Sequence, residues 1–241
     1  MHGRRLILKS GLLFHIAGLL FPARCHGCDR IIQRDVFLCD ACLKTAERLE
    51  NPCTGCGKPE GECDCGKNKF TLNITAPFAY SGSIVSAIYR FKFGGDRNVH
   101  AYLAEYMAES VKEKFDGVGF DFVTCVPQTA RRKRQRGYNQ SALLAKSCAK
   151  LLGLPCKEAL LKTRNTKDQH KLKAKERAEN LKGAFSVNDT SVVSGKTVLL
   201  CDDIKTTGAT LNECRKTLLK AGAKEVYCVT AAVVTDTASK S

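Results

Sequence analysis

The sequence has no long uninterrupted apolar run. The apolar stretch near its N-terminus, "LILKSGLLFHIAGLLF" (6–21), is broken by Lys9 and His15. It is too short and too interrupted to span a membrane as a helix. The small residues of a signal-peptide cleavage site are also missing where "FPAR" stands. We therefore expect no transmembrane segment, and we expect residues 1–22 to form a short amphipathic helix that packs on the rest of the protein.

Acidic residues are scarce between residues 131 and 183. This segment has 16 lysines and arginines but only four acids, so it holds +12 of the formal charge of +15. Five of its cations lie in "RRKRQRG" (131–137) without an acid between them. This concentration indicates an anionic partner such as phosphates, a nucleotide or nucleic acid. The alternative is a solvated basic face that has no partner.

Aromatic residues are scarce in the same segment, where Tyr138 is the only one. Proteins that bind single-stranded nucleic acid usually offer aromatic side chains on which the bases stack. For a nucleic-acid partner, the sequence therefore favours contacts with the backbone over contacts with the bases.

The sequence also offers no Ser–His–Asp arrangement for nucleophilic catalysis, and its five histidines form no pattern.

Cysteine, by contrast, is abundant: eight of the 14 cysteines lie between Cys25 and Cys65. The other six are scattered through apolar runs such as "FVTCV" and "VYCVT", where cysteine behaves as a small hydrophobic residue. A secreted disulfide scaffold would spread its cysteines differently. This distribution favours a reducing, cytoplasmic setting.

The eight clustered cysteines have the spacing of metal ligands. Zn²⁺ prefers four thiolates in a tetrahedron, and each C-x2-C turn presents two sulfurs to one ion. An all-cysteine site leaves no open coordination position, so we expect a structural role for one or two Zn²⁺ ions. The C-x-C spacing that ends the second set is less typical, and sequential and interleaved pairings both stay open. The alternative is a loop with incidental cysteines. The two sets are Cys25, Cys28, Cys39 and Cys42, then Cys53, Cys56, Cys63 and Cys65.

After Cys65, strand and helix patterns alternate along the chain. Apolar strands are predicted at 76–82, 120–127, 197–203 and 225–234, with helices at 83–93, 99–115, 139–153 and 209–223. Such alternation predicts an α/β fold with a parallel sheet that is covered on both faces. Ligands of these folds bind outside the carboxyl ends of the strands. The loops 127–138 and 202–210 are expected there.

One of these loops follows the strand in "VLLCDDIKTTGAT" (198–210). The carboxylates of Asp202 and Asp203 can accept hydrogen bonds from a diol. The "TTGAT" that follows offers hydroxyl groups and backbone N–H groups at a helix N-terminus, which suits a phosphate. A diol site beside a phosphate site describes a ribose 5-phosphate. The alternative is an ordinary strand–turn–helix with capping threonines.

This stretch resembles the 5-phosphoribosyl-1-pyrophosphate (PRPP) motif of type I phosphoribosyltransferases. The wider chain is similar to the ComF family, because "FKFGG", "VPQTARRKRQRGYNQ" and "QHKLKAKERAENLKGAF" precede that motif in the same order. The resemblance implies a type I phosphoribosyltransferase-like parallel sheet flanked by helices, preceded by a small zinc-ribbon domain. We expect a double zinc ribbon at 23–68 and a phosphoribosyltransferase-like domain at 72–241.

The resemblance also implies roles for individual residues. Asp202 and Asp203 would hold the ribose hydroxyls. Lys205 departs from the family pattern as an extra cation that is able to pair with a neighbouring aspartate. Cys201 is expected to pack in the core. The loop from Pro127 would bind pyrophosphate with Mg²⁺, and residues 163–180 match a mobile flap. The 5-phosphate would be held by Thr206, Thr207, Gly208, Ala209 and Thr210. The loop would use Pro127, Gln128 and Thr129, with charge from Arg131, Arg132, Arg134 and Arg136. The flap positions are Arg164, Gln169, Arg177 and Asn180.

Two functions are compatible with these features. In the first, the protein is an enzyme that transfers phosphoribose from PRPP to a base or an amine. In the second, it binds PRPP and single-stranded DNA without catalysis during DNA uptake for natural transformation. The resemblance then implies a competence helicase and inner-membrane DNA-uptake proteins as partners, and a cytoplasmic protein that is peripheral at the inner membrane. The sequence shows no signature for an acceptor base.

Overall fold

The computed structural model describes residues 22–63, 65–66, 71–129, 134, 137–164 and 180–236. The helix predicted at 1–22 lies outside these residues except for its last position. In chain order the elements are α1 (Asp40–Leu43), a 3-10 turn (Glu60–Glu62), β1 (Ile74–Thr75), β2 (Phe78–Ala79), α2 (Gly82–Phe93), α3 (Val99–Lys114), β3 (Phe122–Cys125), α4 (Gln140–Leu152), β4 (Leu160–Lys162), β5 (Phe185–Val187), α5 (Thr190–Val193), β6 (Thr197–Lys205), α6 (Ala209–Lys220) and β7 (Glu225–Val233).

Within the described residues, the main sheet has five strands, and all of their pairings are parallel. Strand β6 lies between β3 and β7, and both β1 and β2 pair with β7. The two central strands are continuous apolar runs, as expected for strands that are covered on both faces. The predicted parallel α/β sheet is therefore confirmed. The antiparallel hairpin of β4 and β5 forms a separate small sheet that the sequence patterns did not predict.

Side chains along β6 alternate between the two covered faces. Leu199 and Cys201 pack with residues of α2, α3 and α4, whereas Val198 and Leu200 pack with α6 and with the β4–β5 hairpin. This alternation follows from the two-residue period of a strand. The expectation that Cys201 packs in the core is confirmed, because its side chain is fully buried. The polar residues that follow Cys201 emerge at the carboxyl edge of the sheet.

The N-terminal region packs against α2 and α3. The Phe37 ring stacks on Tyr102 of α3 with ring centroids 5.4 Å apart. The hydroxyl of Ser83 in α2 donates to the carbonyl oxygen of Cys42 at 2.7 Å. The next contact is close enough to require a glycine: Gly82 has a φ of +50°, and a Cβ there would lie 2.1 Å from the carbonyl oxygen of Thr45. The backbone that follows Cys42 and the start of α2 are therefore in direct contact.

This approach predicts a strong effect of Gly82→Ala on stability. Gly117→Ala is the matched control, because Gly117 also has a positive φ (+75°) but its Cβ would meet nothing within 4 Å. The control should lose only the backbone-strain cost of about 1–2 kcal/mol. Gly82→Ala should lose clearly more than the control in free energy of unfolding, measured by urea denaturation of both variants. Equal losses would show that the Thr45 contact does not constrain the fold.

Candidate functional site

A cleft of about 430 Å³ lies at the carboxyl edge of the sheet. Strands β3 and β6 are in register with Cys125 opposite Cys201, so the residues after Cys125 lie beside the acid pair that follows Cys201. Helix α2 contributes Tyr89, Lys92 and Phe93 to the lining. Residues that line the cleft and were predicted from the sequence are Asp202, Asp203, Thr206, Thr210, Pro127, Gln128 and Thr129.

Asp202 is held by two donors at the floor of this cleft. Its Oδ1 accepts from the Ser141 hydroxyl at 2.7 Å and from the backbone N–H of Asp203 at 2.9 Å. Burial and, to a smaller extent, the charge of Asp203 raise the pKa of Asp202 to about 7, although the two donors and Lys92 act in the opposite direction. A carboxyl group with a pKa near neutrality changes its charge within the physiological range.

Asp203 forms a partly buried ion pair with a residue that the sequence analysis did not assign. The Lys92 Nζ lies 2.8 Å from Asp203 Oδ2, and the two side chains are only 17% and 13% exposed. Lys92 belongs to "FKFGG", a motif that contributed to the family resemblance but was assigned no function from the sequence. Lys205, which the sequence analysis considered able to pair with a neighbouring aspartate, is buried (4% exposed) on β6 opposite Val233 of β7 and is not part of the cleft lining.

The start of α6 forms the second part of the cleft. Gly208 has a φ of +77°, which the turn from β6 into α6 requires. The hydroxyl of Thr207 accepts from the N–H of Ala209 at 3.4 Å, so this side chain caps the turn. Thr206 and Thr210 line the cleft, whereas Thr207, Gly208 and Ala209 shape the turn behind them. Backbone N–H groups at such a helix start favour an anion.

The loop after β3 forms the third part. The side-chain amide of Gln128 donates to Gln140 Oε1 at 2.7 Å, which fixes this loop on the first residue of α4. The remaining oxygen, Gln128 Oε1, is buried without a hydrogen-bond partner in the described part of the chain. Buried polar atoms normally have partners. An unpaired acceptor here is compatible with a ligand or water that donates to it.

Of the other predicted positions, the three that the structure describes, Arg134, Arg164 and Asn180, are not part of the cleft lining. The Arg164 guanidinium donates to the carbonyl oxygens of Asn180 and Lys182 at 3.1 and 2.9 Å, so it joins the two ends of the 163–180 segment. Arg134 is exposed. Outside the described residues lie Arg131, Arg132, Arg136, Gln169 and Arg177.

The eight clustered cysteines form two separate groups of sulfurs. Cys25, Cys28, Cys39 and Cys42 lie within 4.8 Å of one another, and so do Cys53, Cys56, Cys63 and Cys65. The pairing left open by the sequence is therefore sequential. Sγ–Sγ distances such as 3.7 Å between Cys28 and Cys39 suit a tetrahedron with Zn–S bonds of about 2.3 Å.

The surroundings of the sulfurs fit thiolate ligands. Burial would raise the pKa of Cys25, but three backbone N–H groups outweigh it and lower this pKa to about 6. Glycine is required in both turns, because a Cβ on Gly27 would lie 2.8 Å from Cys42 Sγ and one on Gly55 would lie 2.4 Å from Cys65 Sγ. The residues present therefore fit a structural zinc in each group.

Two family models match the chain. A phosphoribosyl transferase domain matches residues 139–241, and a double zinc ribbon domain matches residues 16–69. The first match covers β6, α6 and β7, and the second covers both cysteine groups. The predicted order of a double zinc ribbon followed by a phosphoribosyltransferase-like domain is confirmed.

Several curated proteins are similar over most of their length. Competence protein F of Haemophilus influenzae is 31% identical over 220 residues, which cover 88% of this chain and 92% of that protein. Competence protein ComFC of Streptococcus pneumoniae is 31% identical over 201 residues, 80% of this chain and 86% of the relative. DNA utilization protein YhgH of Escherichia coli K12 is 30% identical over 211 residues, with 85% and 88% covered.

Solved phosphoribosyltransferases are more distant. Adenine phosphoribosyltransferase from Thermoanaerobacter pseudethanolicus is 14% identical, with a TM-score of 0.37, over 58% of this chain and 83% of that one. A likeness at this level carries no argument about ligands. In the described residues, none of the helices is both long and apolar enough to cross a membrane.

The raised pKa of Asp202 predicts a pH dependence of stability. An aspartate in the unfolded chain has a pKa of about 3.9, so the unfolded state loses this proton at lower pH than the folded state. The contribution of Asp202 to the free energy of unfolding should therefore fall as the pH rises from about 4 to about 7. Each unit of pKa difference corresponds to about 1.4 kcal/mol.

Urea denaturation of the wild type and of Asp202→Asn between about pH 5 and pH 8 measures this effect. The variant keeps both cysteine groups, so their titration cancels in the difference. We expect the wild type to lose stability relative to the variant as the pH rises. A difference that is constant over this range would contradict the raised pKa.

Proposed function

The chain belongs to the ComF family, and from this premise we propose that its cleft binds PRPP together with Mg²⁺. The proposal rests on one observation: three chemically different parts of the chain line the same cleft. They are the acid pair, the start of α6 and the loop after β3. A diol, a terminal phosphate and a pyrophosphate are the three corresponding groups of PRPP.

Each part of the cleft has a chemistry that suits one group. The carboxylates of Asp202 and Asp203 accept hydrogen bonds from the ribose hydroxyls. The N–H groups and hydroxyls around Thr206 and Thr210 bind the 5-phosphate at the positive end of α6. The loop of Pro127, Gln128 and Thr129 receives the pyrophosphate, and Gln128 is already fixed there by Gln140.

The acid pair also fits the proposed metal. Mg²⁺ binds oxygen ligands and is usually held by one or two carboxylates plus substrate phosphates. Asp202 and Asp203 are two carboxylates that line the cleft. When bound, the ion would neutralise charge on the pyrophosphate. Transfer of phosphoribose would need positioning and charge stabilisation more than a nucleophilic side chain, so the same contacts serve binding and transfer.

The ribose-site assignment predicts the effect of Asp202→Asn/Asp203→Asn. The double variant should lose PRPP affinity by about 100-fold or more, because each hydrogen bond to a charged group contributes about 1.5–3 kcal/mol. Calorimetric titration with PRPP and Mg²⁺ measures the affinity, and the zinc content should stay at the wild-type value.

Asp189→Asn is the matched control for this experiment. Asp189 caps α5 by accepting from the N–H of Ser191 at 2.9 Å, and asparagine caps a helix equally well. The control should bind PRPP like the wild type. Unaltered affinity in the double variant would place the ribose elsewhere.

The second candidate function is binding of single-stranded DNA, and the +12 charge of residues 131–183 favours it. The printed names of the relatives, competence protein F and DNA utilization protein, support a role in DNA uptake. We propose a cytoplasmic protein that acts at the inner membrane, with a competence helicase and inner-membrane DNA-uptake proteins as partners.

The DNA proposal predicts the effect of neutralising the basic loop. Replacing Arg131, Arg132 and Arg134 with glutamine should lower the slope of log affinity against log salt by about 2, because each phosphate contact with a single strand contributes about 0.7. Fluorescence anisotropy with a labelled oligonucleotide at several salt concentrations measures the slope. The control replaces three lysines outside residues 131–183 with glutamine and should leave the slope unchanged; they are Lys112, Lys114 and Lys216. An unchanged slope in the loop variant would move the DNA contact elsewhere.

A further inference from the structure

Lys92, the lysine of the "FKFGG" motif, lines the cleft. Lys92 lies in the last turn of α2, and its Nζ reaches Asp203 Oδ2 at 2.8 Å. The pair is mostly buried, and both members line the cleft together with Gln128 and Thr129. A lysine that is desolvated beside the acid pair of a ligand cleft is more than a surface ion pair, because surface pairs contribute little and are mostly solvated.

Contacts on both sides of Lys92 join the end of α2 and the segment after it to the first cysteine group. Arg90 Nη1 lies 2.8 Å from Asp29 Oδ1, and Asp96 Oδ2 lies 2.5 Å from His26 Nδ1. Asp29 directly follows Cys28, and His26 directly follows Cys25. Lys92 therefore lies on a segment that contacts the first cysteine group on both sides.

The same helix end is also fixed from the other side. The Tyr138 hydroxyl donates to the carbonyl oxygen of Phe91, and the Phe91 side chain is fully buried. Tyr138 lies just before α4, which also supplies the Ser141 donor to Asp202. Lys92 and Asp202 are thus positioned by one connected set of contacts.

The negative charges of the two carboxylates and of the proposed ligand call for a cation in the cleft, and Lys92 is placed to supply it. A ligand with a phosphate and a pyrophosphate is a polyanion, and two carboxylates on the cleft floor repel it. Among the described residues, the cations that line the cleft are Lys92 and Lys162, and Lys162 Nζ lies over the Phe185 ring, 5.4 Å from its centroid. An ammonium group has three N–H donors, so Lys92 can keep one on Asp203 and direct another to a phosphate oxygen.

We propose that Lys92 is a ligand-binding residue of the cleft: it neutralises Asp203 in the free protein and donates to the pyrophosphate oxygens of bound PRPP. This proposal rests on the proposed function, because it needs PRPP in the cleft. It assigns the "FKFGG" motif to ligand binding, and it makes the pyrophosphate the part of the ligand that Lys92 recognises.

The test compares two ligands that differ only in the pyrophosphate. Wild type, Lys92→Met and Lys92→Gln are titrated by calorimetry with PRPP and with ribose 5-phosphate, both with Mg²⁺. Each variant should bind PRPP about tenfold or more weakly, as expected for a lost hydrogen bond to a charged group. Affinity for ribose 5-phosphate should change by less than about threefold, and Lys92→Arg, which keeps a positive charge and N–H donors, should restore part of the PRPP affinity.

Lys196→Met is the matched control. Lys196 forms a more exposed lysine–aspartate pair just before β6, at the opposite end of that strand, with its Nζ 3.0 Å from Asp121 Oδ1. It should leave both affinities at the wild-type values. Zinc content and the midpoint of urea unfolding verify that each variant is folded, and the two Lys92 substitutions give independent chances of a folded protein.

The outcomes separate this proposal from the proposed function. Equal losses for both ligands would overturn the pyrophosphate contact, because Lys92 would then act only by holding Asp203. Unchanged PRPP affinity in both variants would overturn any binding role. Failure of the wild type to bind PRPP would instead overturn the proposed function, and the role of Lys92 with it.

Discussion

Asp202 and Asp203 lie side by side at the end of a buried strand, where each negative charge costs free energy unless a donor or a cation faces it. The compensation comes from different parts of the fold: Ser141 on α4, the backbone of β6 itself and Lys92 on α2. The acid pair therefore receives its full compensation only where all three elements meet at this edge of the sheet. The cleft is the space that this meeting leaves open.

The cysteine groups belong to the same system of contacts. The first group contacts α2 through Asp29 and the segment after α2 through His26, and Thr45, which follows its last cysteine, approaches Gly82 at the start of that helix. The second group packs on the sheet, since a Cβ on Gly57 would lie 3.2 Å from Val233 of β7. Structural zinc sites of this kind contribute folding free energy directly. The metal-binding region thus supports the walls of the cleft as well as itself.

The sequence predicted the features that depend on local pattern. The apolar runs of β3, β6 and β7 and the helices between them have the expected order, and Asp202, Thr206 and Gln128 lie in one cleft. The β4–β5 hairpin was missed because its strands have three residues each, too few for a periodic pattern. The Lys92–Asp203 pair was missed because it joins residues that are far apart in sequence. The boundaries at 22/23 and 68/72 stay predictions, because residues 1–21 and 67–70 lie outside the described chain.

The central claim is that this cleft binds PRPP with Mg²⁺, and calorimetric titration of the zinc-loaded wild-type protein tests it most directly. PRPP is titrated at several Mg²⁺ concentrations, first alone and then with a short single-stranded oligonucleotide present. The account predicts saturable one-to-one binding of PRPP that strengthens with Mg²⁺. Absence of PRPP binding at every Mg²⁺ concentration, in a protein with full zinc content, would contradict it.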